Sequence, residues 1–391
     1  MSTDVLKFAR PYLDWLIESD IQITDGPDTG GVRAWIDEET NEGAFIYSEI
    51  TGYFITLAVH LSRYDDTRDW LGRAEQAAMW IRNVAMQESG AVLTRKYDRV
   101  VSGPPDPYSF ENGLTAFFDC AMVGFGLTNL YEATGNHCWL ETAENLGNFC
   151  LDAFQTPGGG ERFAVYDTKK GAPLPPDDRW SGHWGSFELK GAMYMDSMHR
   201  LTGDDRYRQW TEETLAQALR TQVDHGRFGT NIDLSTTHLH PHNYTLEAML
   251  YLAGRHNRED LLPVIKNAID FSFDYCLPID SLHFQAWSEH DRNEIKGLRS
   301  DVLAQSLRSH VAAELLDVVT VTARPEQIHV LLQLLESYRL DSGATSYGMD
   351  EYGTKSRHAN AWCHFFATEL NLLRGVAASG LEWKPTEIIL T

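Results

Sequence analysis

The sequence predicts an all-α protein, an (α/α)6 toroid of six inner and six outer helices spanning residues 1–391 as one domain. Three observations predict it. A turn followed by an amphipathic helix recurs four times, at Y64-D-D-T-R-D-W70, T134-G-N-H-C-W-L140, T202-G-D-D-R-Y207 and R255-H-N-R-E-D-L261. Each turn follows an apolar run and supplies an Asp or Asn that can cap the next helix. Finally, nearly all-apolar helical segments alternate strictly with one-sided ones, at a period of about 55–70 residues.

Taken in order, the apolar-rich helices fall near residues 47–63, 112–132, 186–201, 243–254, 300–317 and 359–375. A helix apolar nearly all round must be buried, so these form the inner set. The amphipathic helices fall near 3–19, 67–87, 137–154, 205–222, 259–276 and 325–337, and their single apolar stripe suits an outer set. Inner-to-outer links are tight. Outer-to-inner links, about 20–46, 88–111, 155–185, 223–242, 277–299 and 338–358, are long and are the expected carriers of function. They lead into the N-termini of the inner helices, where free N–H groups and helix dipoles favour polar ligands.

Composition narrows the chemistry. Fifty-six Asp and Glu against 33 Lys and Arg give a net charge of −23, which repels a nucleic-acid backbone or an anionic membrane surface. The first twenty residues carry charges throughout and no apolar run reaches membrane-spanning length. Five scattered cysteines, Cys120, Cys138, Cys150, Cys276 and Cys363, form no C-x-x-C and argue against a disulfide framework. The expectation is a cytoplasmic protein acting on a small molecule without a cofactor, with a homodimer as the assembly to test.

The long links and first inner turns collect aromatics, carboxylates and histidines. These are Trp35, Glu49 and Tyr53; then His183, Trp184 and Glu188; then T237-H-L-H-P-H-N-Y-T-L-E-A-M249 with His240, His242, Tyr244 and Glu247. Trp287, Arg299 and Asp301 follow, and finally His358, Trp362 and His364. Flat aromatic faces stack on sugar C–H faces while carboxylates and Arg bind hydroxyls or a uronate, so the set suits a carbohydrate. The bland alternative is that Trp and Tyr cap the barrel and each acid caps a helix.

Six hairpins, together with the run PHNYTLEA from Pro241 to Ala248, resemble the N-acylglucosamine 2-epimerase superfamily of (α/α)6 barrels. That family carries a Pro-His-x-His-x-x-Glu-Ala-like motif on the corresponding helix. Pro241, His242, Glu247 and Ala248 match it, and Tyr244 stands where the second His would be. The resemblance implies proton transfer at a sugar carbon, with a further catalytic His opening the last inner helix, where His358 and His364 lie. Histidines suit such transfer because they change charge near neutral pH. On this reading His242 and either His358 or His364 exchange a substrate proton, Glu247 orients or supports that exchange, and Arg299 holds a hydroxyl or carboxylate. The alternatives are a glycoside hydrolase or uronate-type hydrolase or lyase, using Glu49 with Glu247 or Asp301, and a non-catalytic helical scaffold.

Other motifs resolve as punctuation. The DDxxD string in Y64-D-D-T-R-D69 sits in a repeated helix start, and W362-C-H364 lacks the partners that zinc needs. His238 and His240 would share one side of a strand, a weak metal pair, with His242 turning inward at the helix cap.

Overall fold

The computed structural model describes residues 4–98, 106–156, 160–279, 286–288, 298–316, 322–350 and 352–381. Among them lie twelve α-helices: α1 Arg10–Glu18, α2 Ser48–Ser62, α3 Trp70–Trp80, α4 Phe117–Thr134, α5 His137–Ala153, α6 Leu189–Thr202, α7 Asp205–Leu219, α8 Leu239–His256, α9 Leu262–Phe271, α10 Ser300–Leu315, α11 Pro325–Ser337 and α12 Ala361–Ser379. The helices fall where the periodicity puts them. No described helix is long and apolar enough to cross a membrane.

The chain divides into two compact units. One holds residues 19–36 and 42–215. In it α2 packs on α4 and α4 on α6, and all three are buried over almost their full length. The α2/α4 approach is backbone to backbone: a Cβ at Gly52 would lie 2.7 Å from the Met122 carbonyl oxygen. Helices α3 and α5 bury one stripe each, Trp70, Ala74, Ala77 and Ala78 on α3 and Trp139, Ala143, Leu146 and Cys150 on α5.

The other unit holds residues 1–18, 37–41 and 216–390. Helix α10 packs against α8 and α12, again three helices buried along almost their whole length. Helices α1, α9 and α11 bury single stripes. Chemistry at the turns explains the repeats. Gly135, Gly203 and Asn257 end α4, α6 and α8 at φ 68, 75 and 52°, the left-handed cap that Gly and Asn adopt most readily.

The DDxxD string is such a turn. Asp65 accepts from the Trp70 indole N–H at 2.9 Å and from Thr67 N–H at 3.0 Å, and Asp69 caps α3 through Gly72 N–H at 2.9 Å.

The long links contain short strands that run directly into buried helices. Ile46–Tyr47 pairs with Arg95–Lys96 just before α2, and Leu114–Ala116 pairs with Val165–Asp167 just before α4. Thr236–His238 pairs with Ala286–Ser288 just before α8, and Leu298–Arg299 with Gly348–Met349 just before α10. These four helices leave an extended residue, Tyr47, Ala116, His238 or Arg299, with no side-chain cap. Strand pairing therefore fixes where each helix starts, without a Ser or Asp at the cap.

Candidate functional site

Helix α8 starts at Leu239, four residues before the expected Asn243, and this register decides which histidine shares a face with Tyr244 and Glu247. Pro241 lies in the first turn, where a backbone N–H has no helical partner to lose. His240 is thus already helical. At about 100° per residue, Tyr244 and Glu247 fall within a narrow face shared with His240, while His242 points about 200° away.

The same spacing recurs on the neighbouring helices. Asp301, Gln305 and Arg308 occupy positions i, i+4 and i+7 of α10, and Trp362, Phe366 and Glu369 repeat the pattern on α12. The result is three layers in one unit. In the first, Asp301 Oδ2 lies 3.6 Å from His240 Nδ1 and accepts from the Trp362 indole N–H at 3.2 Å. Arg299 grips both Asp301 oxygens, one of them at 3.0 Å, and lies over the Tyr347 ring at 5.0 Å. In the second, His240 Nδ1 meets Gln305 Oε1 at 2.6 Å and the imidazole lies against the Tyr244 ring at 4.4 Å. In the third, Arg308 bridges Glu247 and Glu369, all three side chains fully enclosed. Gln305 Nε2 donates to Glu247 Oε1 at 3.4 Å, joining the second and third layers.

Electrostatics follow from enclosure and charge. Burial pushes His240 down to about 4, with Asp301 and Gln305 opposing and Arg299 reinforcing. At neutral pH it is a neutral base. Burial alone would raise the Asp301 carboxyl, but Arg299, His240 and the Val302 N–H outweigh it and bring the group to about 2. Asp301 is therefore an ionised neighbour able to steady an imidazolium. His238, expected beside His240 in a strand, instead ends the strand before α8. Burial first, and Arg299 second, lower its pKa.

Two of the expected proton carriers, His242 and His364, are held by backbone groups. His242 is wholly buried, accepts from Phe228 N–H at 3.2 Å through Nδ1, and donates from Nε2 to the Ala268 carbonyl of α9 at 3.2 Å. Phe228 and Phe271 flank it, and burial pushes it to about 4. His364 donates from Nε2 to the Tyr12 carbonyl of α1 at 2.8 Å, lies 4.5 Å from the Trp15 ring, and is pushed by burial to about 3. Both rings tie a buried helix to a half-buried one. His358, half-buried, lies within electrostatic reach of Asp37 beside Arg357.

Glu247 and Asp301, the expected glycosidase partners of Glu49, each pair with an Arg. Arg299, the expected holder of a hydroxyl or carboxylate, pairs with Asp301. Trp287 pairs through its backbone with Thr237, and its side chain lies outside the described residues.

The other unit gathers a carboxylate cluster. Glu49 and Asp119, in the first turns of α2 and α4, hydrogen-bond to each other, with the Tyr47 hydroxyl also on Glu49 and Lys190 within electrostatic reach of it. Burial raises the pKa of Glu49, and burial then Glu49 raise Asp119 well above the usual carboxylate range. The pair holds a proton between them. Glu188 is 1% exposed, has one oxygen without a protein hydrogen bond, and is raised by burial and then by Asp119. It makes no cap hydrogen bond to α6, so helix capping does not explain it. Arg95 lies among the rings of Phe45, Tyr47 and Tyr108 at 5.1–5.3 Å and pairs with Asp106 at 3.2 Å.

Around that cluster the expected sugar platforms divide. Tyr53 lies under the Lys190 ammonium at 5.1 Å, and Trp35 is half-buried, edge-on to Phe45 at 5.3 Å. Trp184 lies against Phe117 at 4.9 Å and Trp210 at 5.8 Å, with the Arg162 guanidinium 5.4 Å from its ring. His183 turns back onto the Arg179 carbonyl at 2.9 Å. A cavity of about 210 Å³ beside α5 and α7, lined by residues including Asp152, Arg206 and Trp210, contains none of the carboxylate cluster. Among the described residues no three His, Cys, Asp or Glu side chains are arranged to hold a metal ion.

Asp119, Lys190, Gln305, Arg308 and Glu369 were not legible as site residues from motifs. For Gln305 and Arg308 the available signal was their i+4 and i+7 spacing from Asp301 on the buried helix α10.

Comparison with known proteins places this geometry. The model of glycosyl hydrolase family 76 matches residues 22–170, a stretch that includes Glu49 and Asp119. A sugar epimerase from a ruminal bacterium is similar in structure, with a TM-score of 0.73 at 13% identity, covering 96% of this chain and 100% of its own. D-mannose isomerase is similar at TM-score 0.72, 12% identity and coverage of 96% and 98%. A family 76 glycoside hydrolase from a bovine Bacteroides thetaiotaomicron strain is similar at 0.65, 11% identity and coverage of 96% and 78%. No curated protein matches the sequence. At these identities the likeness shows the fold, and the fold is the (α/α)6 toroid.

Proposed function

We propose that the protein is a sugar epimerase or isomerase that moves a proton on and off a carbon beside a carbonyl, with His240 as the proton carrier. The observation that carries this is the His240 environment: a neutral imidazole with Nδ1 on Gln305 and an ionised Asp301 at 3.6 Å. With the Nδ1 proton donated to the Gln305 carbonyl, Nε2 is the basic atom. It takes the proton from carbon, the electron pair moves into the carbonyl to give an enediolate, and Asp301 offsets the new imidazolium charge. Return of the proton to the opposite face gives an epimer, and return to the adjacent carbon gives an isomer. The similar epimerase and isomerase structures support the choice of reaction.

Turnover in deuterium oxide tests it. Deuterium should enter the sugar carbon, His240→Ala should abolish entry, and His242→Ala should not. Deuterium-free product, or the reverse ranking of variants, would sink the reading. A thermal-shift panel of neutral monosaccharides, disaccharides and uronic acids identifies the substrate, because a ligand stabilises the state that binds it. The same proposal includes one functional domain over residues 1–391, action in the cytoplasm, a homodimer, and no nucleic-acid partner.

A second reading, glycosidic-bond hydrolysis, is favoured by one observation: the match to residues 22–170 covers the proton-sharing Glu49 and Asp119. It requires that Glu49→Gln abolish cleavage of an oligosaccharide while His240→Ala only weakens it.

A further inference from the structure

The Glu247–Arg308–Glu369 trio is the most enclosed charged group described, with each side chain 0% exposed. Packed apolar side chains in its place would be as stable or more so. The trio nevertheless spans three buried helices, one residue each from α8, α10 and α12, one layer below His240. The Gln305 amide hydrogen-bonds to both, joining the trio to His240.

That amide can face two ways, and its neighbours decide. Arg308 donates to Glu247 Oε1 and to Glu369 Oε2, so Glu247 Oε1 stands beside the amide as an acceptor. Facing an acceptor, Gln305 must present its NH2 group, and Nε2 does lie 3.4 Å from Glu247 Oε1. Its carbonyl oxygen is then turned toward His240 Nδ1 at 2.6 Å. A carbonyl oxygen accepts only, so the imidazole proton must be on Nδ1 and the lone pair on Nε2. Asp301, 3.6 Å from the same Nδ1, favours the same tautomer.

We infer that Arg308 is a positioning residue that sets which ring nitrogen of His240 carries the proton, acting through Glu247 and the Gln305 amide. Without the guanidinium, Glu247 loses the donor that holds its oxygens as acceptors beside Gln305. The amide then turns over, and its NH2 group meets Nδ1. The proton moves to Nε2, leaving the basic nitrogen facing the amide. The catalytic consequence rests on His240 being the proton carrier, but the tautomer itself does not.

The test is a long-range proton–nitrogen correlation spectrum of 15N-histidine-labelled protein at about pH 7.5, with His240 assigned by the signals absent from His240→Gln. Wild type should show a protonated Nδ1 and an unprotonated Nε2. In Arg308→Met/Glu369→Gln, which removes the cation together with one carboxylate, the Nδ1-protonated fraction should fall at least threefold. Solvent exchange at the sugar carbon should fall about tenfold or more in kcat with KM little changed. Arg308→Lys should restore both. Gln305→Leu, an independent single change, should release the tautomer with Arg308 in place.

An unchanged His240 pattern in the double variant would overturn the inference. Should that variant fail to fold, an unchanged pattern in Gln305→Leu overturns it equally. A tautomer that shifts as described in a protein that exchanges no sugar proton would sustain the inference and remove the epimerase reading instead.

Discussion

Replacing His242 with glutamine separates a structural histidine from a working one. The imidazole is wholly enclosed, takes one hydrogen bond from Phe228 and gives one to Ala268, and burial holds it at about 4. In the unfolded chain it binds a proton near pH 6.5. As pH falls through about 6.5, the unfolded state gains a proton that the folded state refuses, and stability drops until about pH 4. Between about pH 7.5 and 4.5 this one side chain removes about 2.5 kcal/mol, from the ratio of the two protonation factors. A glutamine can accept from Phe228 and donate to Ala268 without titrating. Urea unfolding of wild type and His242→Gln at both pH values reads the effect: the variant's loss on acidification should be smaller by about 2.5 kcal/mol. His364, at about 3, keeps the variant acid-sensitive. Equal pH dependence in the two proteins would refute the argument, and so would a folded variant whose sugar-proton exchange had collapsed.

Four further outcomes follow from the packing. Asp301→Asn removes the charge that steadies the His240 imidazolium, and steady-state kinetics should show kcat lower by about a hundredfold. Trp362→Phe deletes the indole N–H that donates to Asp301 at 3.2 Å; a hydrogen bond to a charged group contributes about 1.5–3 kcal/mol, so kcat should fall at least tenfold in the same assay. Trp184→Ala should lower stability in thermal unfolding by about 2–4 kcal/mol while leaving KM for the sugar unchanged, because the ring packs on Phe117 and Trp210. Gly52→Ala forces a Cβ to within 2.7 Å of the Met122 carbonyl oxygen; circular-dichroism melting should register a loss of about 2–3 kcal/mol.

The helices were legible because burial pattern and turn chemistry agree. Apolar all-round runs became α2, α4, α6, α8, α10 and α12, and the Thr-Gly-Asn and Thr-Gly-Asp turns became left-handed caps at Gly135 and Gly203. Starting points were less legible. Helices α8 and α10 begin where a strand pair hands the chain over, and no local capping residue advertises that. The resulting offset at α8 was only four residues, from Asn243 back to Leu239. Yet it changes which histidine faces the polar layer, because two residues along a helix is about 200° of rotation. His242 fitted the family-like motif and turned away from the polar layer, whereas His240 lay outside the motif and entered it. The Arg308 trio was illegible for another reason: its members lie 61 residues apart along the chain in each pair, and no local pattern joins them.

The layered polar faces bear on why the buried helices are not simply apolar. Helix α10 is buried from Ser300 to Ala313, yet Asp301, Gln305 and Arg308 lie within that span at 0% exposure. A fold selected for stability alone has no use for three such groups, since every unmatched buried charge carries a desolvation cost of several kcal/mol. Each is matched: Asp301 by Arg299, Gln305 by His240 and Glu247, Arg308 by two glutamates. A network satisfied member by member holds each side chain in one orientation. Such fixity is what a neutral imidazole needs if one chosen nitrogen is to face a substrate. The Glu49–Asp119 pair works the other way, keeping a proton inside a buried carboxylate cluster. The two units thus hold a base and an acid whose states at neutral pH are set by burial, and substitution at His240 and at Glu49 decides which of them carries turnover.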